Sequence, residues 1–252
     1  MPVDLSKALT KLDRPPSSHN WVRFVRSTQP ETTRSILSFV RGMPRFTYQT
    51  GSSAIRDRLA LGIDYETAVA ITQRSGAPAG RDQNRGLVDA FFEYDRDRKY
   101  PKFASVGFEK QWFRVSREIL VPVAPLSVIR EHERFVPLFV CGWSQVQLNL
   151  SQRRLLATVC EDAFLSLTDY MDSPAEFLFF PKNASGIRES EVWSRGDYDL
   201  LPEGELNDQV MLYLAAREEA RAILAAEKAA ADEAAKDTSE HTDPSAPSLF
   251  DK

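Results

Sequence analysis

Four acidic side chains fall close together in the stretch RESEVWSRGDYDLL: Glu189, Glu191, Asp197 and Asp199. Residues two apart on a strand face the same side, so a strand through this stretch would pair the first two acids, and the last two would follow one turn later. Carboxylate oxygens are the ligands that Mg²⁺ prefers. The spacing predicts a candidate catalytic site for phosphoryl transfer or nuclease chemistry, with Asp197 and Asp199 binding the metal. A solvated hairpin has the same spacing, and no lysine occupies the short-range acid-x-Lys position, so both interpretations stay open.

Nucleophilic and zinc chemistry have few residues to draw on. His132 lies in REHERF and could form a nucleophilic pair with Cys141 or Cys160. Both cysteines lie in apolar runs, where a thiol is usually buried and inert. The chain has no Cys-x-x-Cys and no histidine pair at ligand spacing, which argues against zinc.

Arginines recur with aromatic residues through the first sixty positions. The arginines are Arg14, Arg23, Arg26, Arg34, Arg41, Arg45, Arg56 and Arg58, and the aromatics among them are Trp21, Phe24, Phe39, Phe46 and Tyr48. Arginine makes bidentate phosphate contacts, and exposed aromatic rings stack on bases. We therefore predict nucleic-acid contacts by Arg23, Arg26, Arg41, Arg45, Arg56 and Arg58. Because the isoelectric point of the whole chain is about 5.6, we expect binding of modest affinity that weakens with salt.

The last ten residues, DPSAPSLFDK, place Leu249 and Phe250 in a polar stretch that has no core to bury them. Two apolar side chains on a flexible tether suit docking into a pocket on a partner protein. Residues 246–250 resemble the end of the short peptides with which bacterial replication and repair proteins bind the DNA sliding clamp. The resemblance implies a sliding clamp as partner, although Ala246 stands where those peptides usually have glutamine. An accidental apolar pair in a polar tail is the alternative.

Composition and charge restrict the class of protein. The 252 residues are 42% hydrophobic, enough for one large domain or two small ones. The N-terminal twenty residues contain no apolar segment of a secretory signal, which predicts a cytoplasmic protein. Residues 1–60 carry a net charge of +6 and residues 201–252 one of −7, a pattern compatible with nucleic-acid contact at the front and partner docking at the rear.

Hydrophobic periodicity indicates the elements that must position these groups. Residues 1–100 are predicted to form a polar arm to about residue 30, extended or loosely docked and anchored by Trp21, Val22, Phe24 and Val25, followed by a helical region. Residues 101–228 alternate β-branched and aromatic positions between Trp112 and Trp143, which predicts strands. In this core, residues 144–150 are predicted to form a half-buried strand, Ser151 to cap an amphipathic helix, and residues 175–182 to form a buried strand. A last helix is predicted from about Leu206 to Glu227, with a disordered acidic tail over 229–252.

Together these patterns predict an α+β fold: an N-terminal helical region, then a mostly antiparallel sheet or meander packed by helices, and a disordered C-terminal tail. The favoured function is a non-enzymatic cytoplasmic accessory protein that binds DNA or a DNA-processing complex and docks a partner through its tail. One alternative is the metal-dependent enzyme. The other is a regulatory protein-interaction module without nucleic acid.

Overall fold

A computed structural model describes residues 4–42 and 46–240, with side chains as far as Ala234. It has the predicted α+β architecture, in which helices cover both faces of a mostly antiparallel sheet. The helices are α1 (Leu5–Leu12), α2 (Ser18–Val22), α3 (Gln29–Arg41), α4 (Gln49–Leu61), α5 (Tyr65–Arg74), α6 (Arg81–Arg98), α7 (Leu150–Cys160) and α8 (Glu203–Glu240). A short 3₁₀ turn, Pro78–Gly80, precedes α6, and a π-helical turn, Glu161–Leu165, continues α7.

The strands form one sheet of five and one ribbon of two. They are β1 (Ser105–Val106), β2 (Gln111–Arg114), β3 (Leu120–Val123), β4 (Ser127–Glu131), β5 (Arg134–Cys141), β6 (Glu176–Phe179) and β7 (Glu191–Ser194). The large sheet has the order β1-β4-β5-β6-β7, and β2 pairs with β3. Only β5 and β6 run parallel within the sheet, because the chain crosses between them through α7.

Alternate residues of the central strands enter two different cores. Phe139 and Phe177 face one core, which also contains Trp21 of α2 and Leu224 of α8. Their neighbours along the strands, including Leu138, face the second core beneath α4 and α6. The first core therefore joins the N-terminal helices, the sheet and α8.

Residues 4–30 form two helices packed on the core, in place of the extended or loosely docked arm that the sequence predicted. The side chain of Asp4 accepts a hydrogen bond from Lys7 N (3.0 Å) at the start of α1. The anchor prediction is confirmed, since Trp21 and Val22 of α2 are fully buried. Burial of these side chains against α7 and α8 is what fixes the segment, so its polar composition was a poor guide to its order.

The predicted strand at 144–150 is also wrong. Its alternation of apolar and polar residues is real, but the chain there has no regular structure and leads into α7. Asn149, and not Ser151, caps the helix: its side chain accepts from Gln152 N (2.9 Å), while the Gln152 side chain accepts from Asn149 N (3.1 Å). This reciprocal capping box competes with strand pairing for the same backbone groups.

Helix α8 is longer than the prediction. It continues through residues 229–240, because alanine, glutamate and lysine have high helix propensity even without an apolar face. Residues 241–252 lie outside the described residues, and the docking prediction for Leu249 and Phe250 falls on them. None of the helices in the described part of the chain combines the length and the apolar character needed to cross a membrane.

Candidate nucleic-acid interface

An arginine-lined groove lies between the loop after α2 and the outer face of α3. We call it the arginine groove, and its volume is about 730 Å³. Its lining residues are Arg23, Phe24, Arg26, Ser27, Glu31, Arg34, Ser35, Ser38, Phe39 and Asn149. Two of the predicted contacts, Arg23 and Arg26, thus come together with Arg34, which the sequence pattern also contained.

One wall of the groove is the solvent face of α3. Ile36, Leu37 and Val40 are buried on the opposite side of this helix. The remaining positions, from Glu31 through Arg34 and Ser35 to Ser38 and Phe39, repeat at three to four residues and therefore share one face. The amphipathic pattern that packs α3 also presents its polar and aromatic residues to the groove.

The other wall is a loop whose backbone is fixed by the buried side chain of Gln152. Its Nε2 donates to the carbonyl oxygens of Val22 (3.2 Å), Arg23 (3.3 Å) and Val25 (2.9 Å). From the α3 side, Thr32 Oγ1 accepts from Arg26 N (3.0 Å). These contacts hold the backbone that carries the two arginines, and Gln152 is a positioning residue that the sequence analysis assigned no role.

Arg23 is partly buried over an aromatic ring. Its guanidinium carbon lies 4.4 Å from the ring centroid of Trp143, and the indole Nε1 donates to Asn20 Oδ1 (3.2 Å). Stacking uses the face of a guanidinium and leaves its in-plane N–H groups to bind an oxyanion. Trp143 follows Gly142, where a Cβ atom would lie 2.8 Å from Tyr48 Cγ, so a side chain there would displace Tyr48 or the strand end that presents the indole.

The charge of the groove is not neutralised by neighbouring carboxylates. Within the described residues, none of Arg23, Arg26 and Arg34 forms an ion pair. The one acid in the lining, Glu31, accepts a hydrogen bond from Thr28 Oγ1 (3.1 Å). Burial holds the pKa of Arg23 below its ordinary value, and the charge of Arg26 acts in the same direction, yet an arginine stays protonated at neutral pH. A ligand with oxyanions would relieve this unpaired charge.

The other predicted arginines have different surroundings. Arg41 is paired with Glu227 of α8 at 2.6 Å. Arg58 is buried and paired with Asp95 at 2.7 Å, so its guanidinium supports the fold beneath α4. Arg56 is exposed on α4 and donates to Leu126 O (3.3 Å). Arg45 lies outside the described residues.

The four acids of the predicted metal site each bind a separate partner. Glu189 precedes β7, not within it, and accepts from Asn183 Nδ2 (2.7 Å). Glu191 pairs with Arg153 (3.2 Å), and Asp197 Oδ2 accepts from Ser194 N (2.7 Å) in the turn after the strand. At Asp199, the contact is made by the backbone carbonyl oxygen of the residue, which accepts from Arg154 Nε (3.1 Å).

These contacts leave no shared ligand set. In the ranges 4–42 and 46–240, no three His, Cys, Asp or Glu side chains form a group that could hold a metal ion. The structure therefore does not bring the four acids together as the sequence predicted, and the carboxylates of Glu189, Glu191 and Asp197 each have a separate donor nearby.

The thiols lack the environment of nucleophiles. Cys141 and Cys160 are buried, and burial raises the pKa of each to about 12. His132 is exposed in the turn between β4 and β5, where its φ of 47° belongs to a tight hairpin. A thiol with this pKa has almost no thiolate at neutral pH, so the Cys-His pair is not formed.

A second cavity, of about 260 Å³, lies beside β7 and is mainly apolar. Its one arginine, Arg195, binds Glu161 through two nitrogens and the carbonyl oxygens of Tyr170 (2.8 Å) and Ser173 (2.7 Å). Its charge and donors are thus already used within the fold.

In comparisons with known proteins, no family model, no curated protein and no solved structure matches the chain. The function is therefore inferred from the chemistry of the chain's own residues. Among the described residues, the arginine groove brings together three arginines that have no ion-pair partner.

Proposed function

We propose that the protein is a cytoplasmic, non-enzymatic accessory protein that binds nucleic acid in the arginine groove. The observation that carries the proposal is the convergence of Arg23, Arg26 and Arg34 on one groove without ion-pair partners among the described residues. Polynucleotides offer oxyanions at regular spacing, and guanidinium groups bind them through paired N–H donors.

The neutral residues of the groove support the same class of ligand. Ser27, Ser35 and Ser38 contribute hydroxyl groups, which commonly bind phosphate and sugar oxygens. An acidic peptide would also satisfy the arginines, as the regulatory alternative requires. Phe39 favours a ligand that combines anionic groups with flat rings.

The direct test is fluorescence anisotropy with labelled oligonucleotides. The variant Arg23→Gln/Arg26→Gln/Arg34→Gln removes the three charges, and we expect it to weaken binding at least about tenfold, since each phosphate contact contributes to affinity. The matched control is Arg74→Gln/Arg117→Gln/Arg130→Gln, which removes the same charge from exposed arginines outside the groove.

The control separates a local site from general electrostatic attraction. We expect the control variant to bind within about twofold of the unmodified protein in moderate salt, where charges beyond a Debye length of roughly 10 Å are screened. Equal losses in the two variants would contradict a binding site in the groove. Preference for an acidic peptide over every oligonucleotide would favour the regulatory alternative.

The second part of the proposal concerns the tail. We propose that residues 246–250 dock on a partner protein, and the resemblance to clamp-binding peptides makes a DNA sliding clamp the first partner to test. Leu249 lies nine residues beyond Glu240, so an extended chain would place it up to about 30 Å from the end of α8. That length would let the tail engage a partner without contact between the folded parts.

This part is tested with the full-length protein and a purified bacterial sliding clamp. Leu249→Ala/Phe250→Ala should abolish binding in surface plasmon resonance, whereas Thr242→Ala/Ser245→Ala should retain it, because the second pair lies outside residues 246–250 and supplies no apolar anchor. Absence of clamp binding by the unmodified protein would remove this part of the proposal and leave the groove untouched.

A further inference from the structure

Phe39 is an exposed aromatic ring inside the charged groove. Its side chain is 39% exposed, although the other large apolar residues of α3 are buried. One side of the ring packs on Phe24, with ring centroids 4.7 Å apart and planes at 43°. Phe24 is itself only 8% exposed, so it forms a fixed support beneath Phe39.

Packing on Phe24 covers one side of this ring and leaves the rest in the groove. The exposed part of a phenyl group gains no hydrophobic free energy from folding. Arg34 lies on the same face of the helix, and Arg23 and Arg26 line the opposite wall. A supported aromatic ring beside Arg34 and across the groove from Arg23 and Arg26 matches the arrangement with which proteins bind unpaired nucleotides, in which bases stack on rings and phosphates contact basic side chains.

We infer that the arginine groove selects an unpaired polynucleotide strand, with a base stacked on Phe39 and the flanking phosphates bound by Arg23, Arg26 and Arg34. The inference rests on the proposed function and adds the class of nucleic acid to it. A duplex keeps its bases stacked on one another and presents phosphates on its outer surface. Bases that are paired and stacked within a duplex are not free to stack on Phe39, so the aromatic contact distinguishes single strands from duplexes.

The sugar is not specified by these contacts. Phosphates and base faces are common to DNA and RNA, and discrimination between them requires a group that reads the 2′-hydroxyl. The shared ligand chemistry is therefore an unstructured strand, represented by oligothymidylate or oligouridylate.

The experiment measures anisotropy of the full-length protein with four labelled fifteen-nucleotide probes: oligothymidylate, oligouridylate, a duplex, and an abasic strand that keeps the phosphates. The test variant is Phe39→Leu, which keeps an apolar side chain but removes the ring. The matched control is Phe39→Tyr, which keeps the ring. Circular dichroism and thermal unfolding of each variant exclude a folding defect.

We expect a single strand to bind at least about tenfold more tightly than the duplex. Phe39→Leu should weaken that binding by roughly 5- to 150-fold, the effect of losing one base stack, while Phe39→Tyr should stay within about threefold. Abasic binding should be the same in all three proteins. Because the contacts do not read the 2′-hydroxyl, oligothymidylate and oligouridylate should bind with similar affinity.

Two results would overturn the inference. One is duplex binding as tight as single-strand binding, and the other is a loss of affinity in Phe39→Leu that is equally large for the abasic strand. In either case the proposed function stands if the triple arginine variant still loses affinity. If the unmodified protein binds none of the four probes, the proposed function fails and the inference with it.

Discussion

The arginine groove and the end of the sheet where β6 begins use the same residue type in opposite ways. At the sheet end, Arg98 donates to both carboxylates of a pair, Glu131 (2.6 Å) and Glu176 (2.8 Å). The hydroxyl of Tyr100 donates to Glu176 as well. Hydrogen bonds to Arg98 hold the pKa of Glu131 below its ordinary value, and burial first, with the Glu176 charge second, raises the pKa of Tyr100. Every charge in this cluster has a partner within the chain.

The difference shows how an ion-binding region is recognised in a folded protein. The arginine at the sheet has carboxylates in contact, whereas in the groove Arg23 lies over the Trp143 ring and Arg34 donates to the Pro30 carbonyl oxygen. Removing a carboxylate-paired arginine should therefore destabilise the protein without affecting ligand binding. Removing a groove arginine should do the reverse.

The largest expected effect is on stability and comes from the buried Arg58–Asp95 pair. Arg58→Met leaves Asp95 buried without its counter-charge and should lower the free energy of unfolding by about 3 kcal/mol or more. Urea unfolding followed by circular dichroism measures it. Oligonucleotide affinity at a temperature where the variant is folded should be unchanged. A specific loss of affinity with normal stability would return Arg58 to the binding surface where the sequence placed it.

A smaller effect on both properties is expected for Gln152→Leu. The substitution removes the donor shared by three backbone carbonyl oxygens and the side-chain acceptor of the capping box, and should cost about 1–3 kcal/mol of stability. Because the loop carrying Arg23 and Arg26 is then free to shift, single-strand affinity should also fall. The matched control is Gln147→Leu, an exposed position whose amide contacts only Gln145. Unchanged affinity in Gln152→Leu would show that the loop needs no such support.

A pH dependence of stability is expected from His19 of α2, beside the groove. The centroid of its ring lies 5.8 Å from that of Trp143. Burial, and then the charge of Arg23, lowers the pKa of His19 to about 4. The unfolded chain, with a histidine pKa near 6.5, therefore binds more protons between pH 6.5 and 4, and stability falls as the pH is lowered through this window. Between pH 7 and 5 the loss should be about 1–2 kcal/mol.

Urea unfolding at the two pH values measures this loss, and His19→Gln should abolish most of it. Arg23→Gln should reduce it, because it removes the second cause of the lowered pKa. An equal pH dependence in His19→Gln and the unmodified protein would place the titrating group elsewhere.

The smallest effect concerns the stability of the groove variants. Arg26→Gln/Arg34→Gln should leave the free energy of unfolding unchanged or raise it by roughly 0.5 kcal/mol, because no ion pair is lost and repulsion within the groove decreases. Thermal unfolding at low salt is the measurement. A decrease above about 1 kcal/mol would indicate that these arginines have partners that support the fold.

The sequence predicted the parts of the fold that depend on local periodicity. The helical region between residues 30 and 100 and the strand at 176–179 followed from the spacing of apolar residues. Periodicity alone fails at residues 144–149. Their alternation matches a strand, but the capping box formed by Asn149 and Gln152 starts helix α7 at this point. The predicted end of α8 is too early. Residues 229–240 have no apolar face, but their alanines have high helix propensity.

The candidate site was only partly accessible from the sequence. Arg23 and Arg26 were identified by composition, but nothing local distinguishes them from Arg41 or Arg58, whose carboxylate partners are distant in the chain. Gln152 acts across more than 125 positions on the backbone of Val22 to Val25, a relation that no spacing rule contains. The solvent face of α3, from Arg34 to Phe39, was the one local signal of the groove.

The most direct test of the account is the salt dependence of oligothymidylate binding by the unmodified protein and by Arg23→Gln/Arg26→Gln/Arg34→Gln. Three phosphate contacts on a single strand predict that the slope of log K against log salt concentration decreases in magnitude by roughly 2 in the triple variant. The variant Arg74→Gln/Arg117→Gln/Arg130→Gln should keep the original slope. An unchanged slope in the groove variant, or an equal decrease in both, would show that these three arginines do not form the phosphate-binding site.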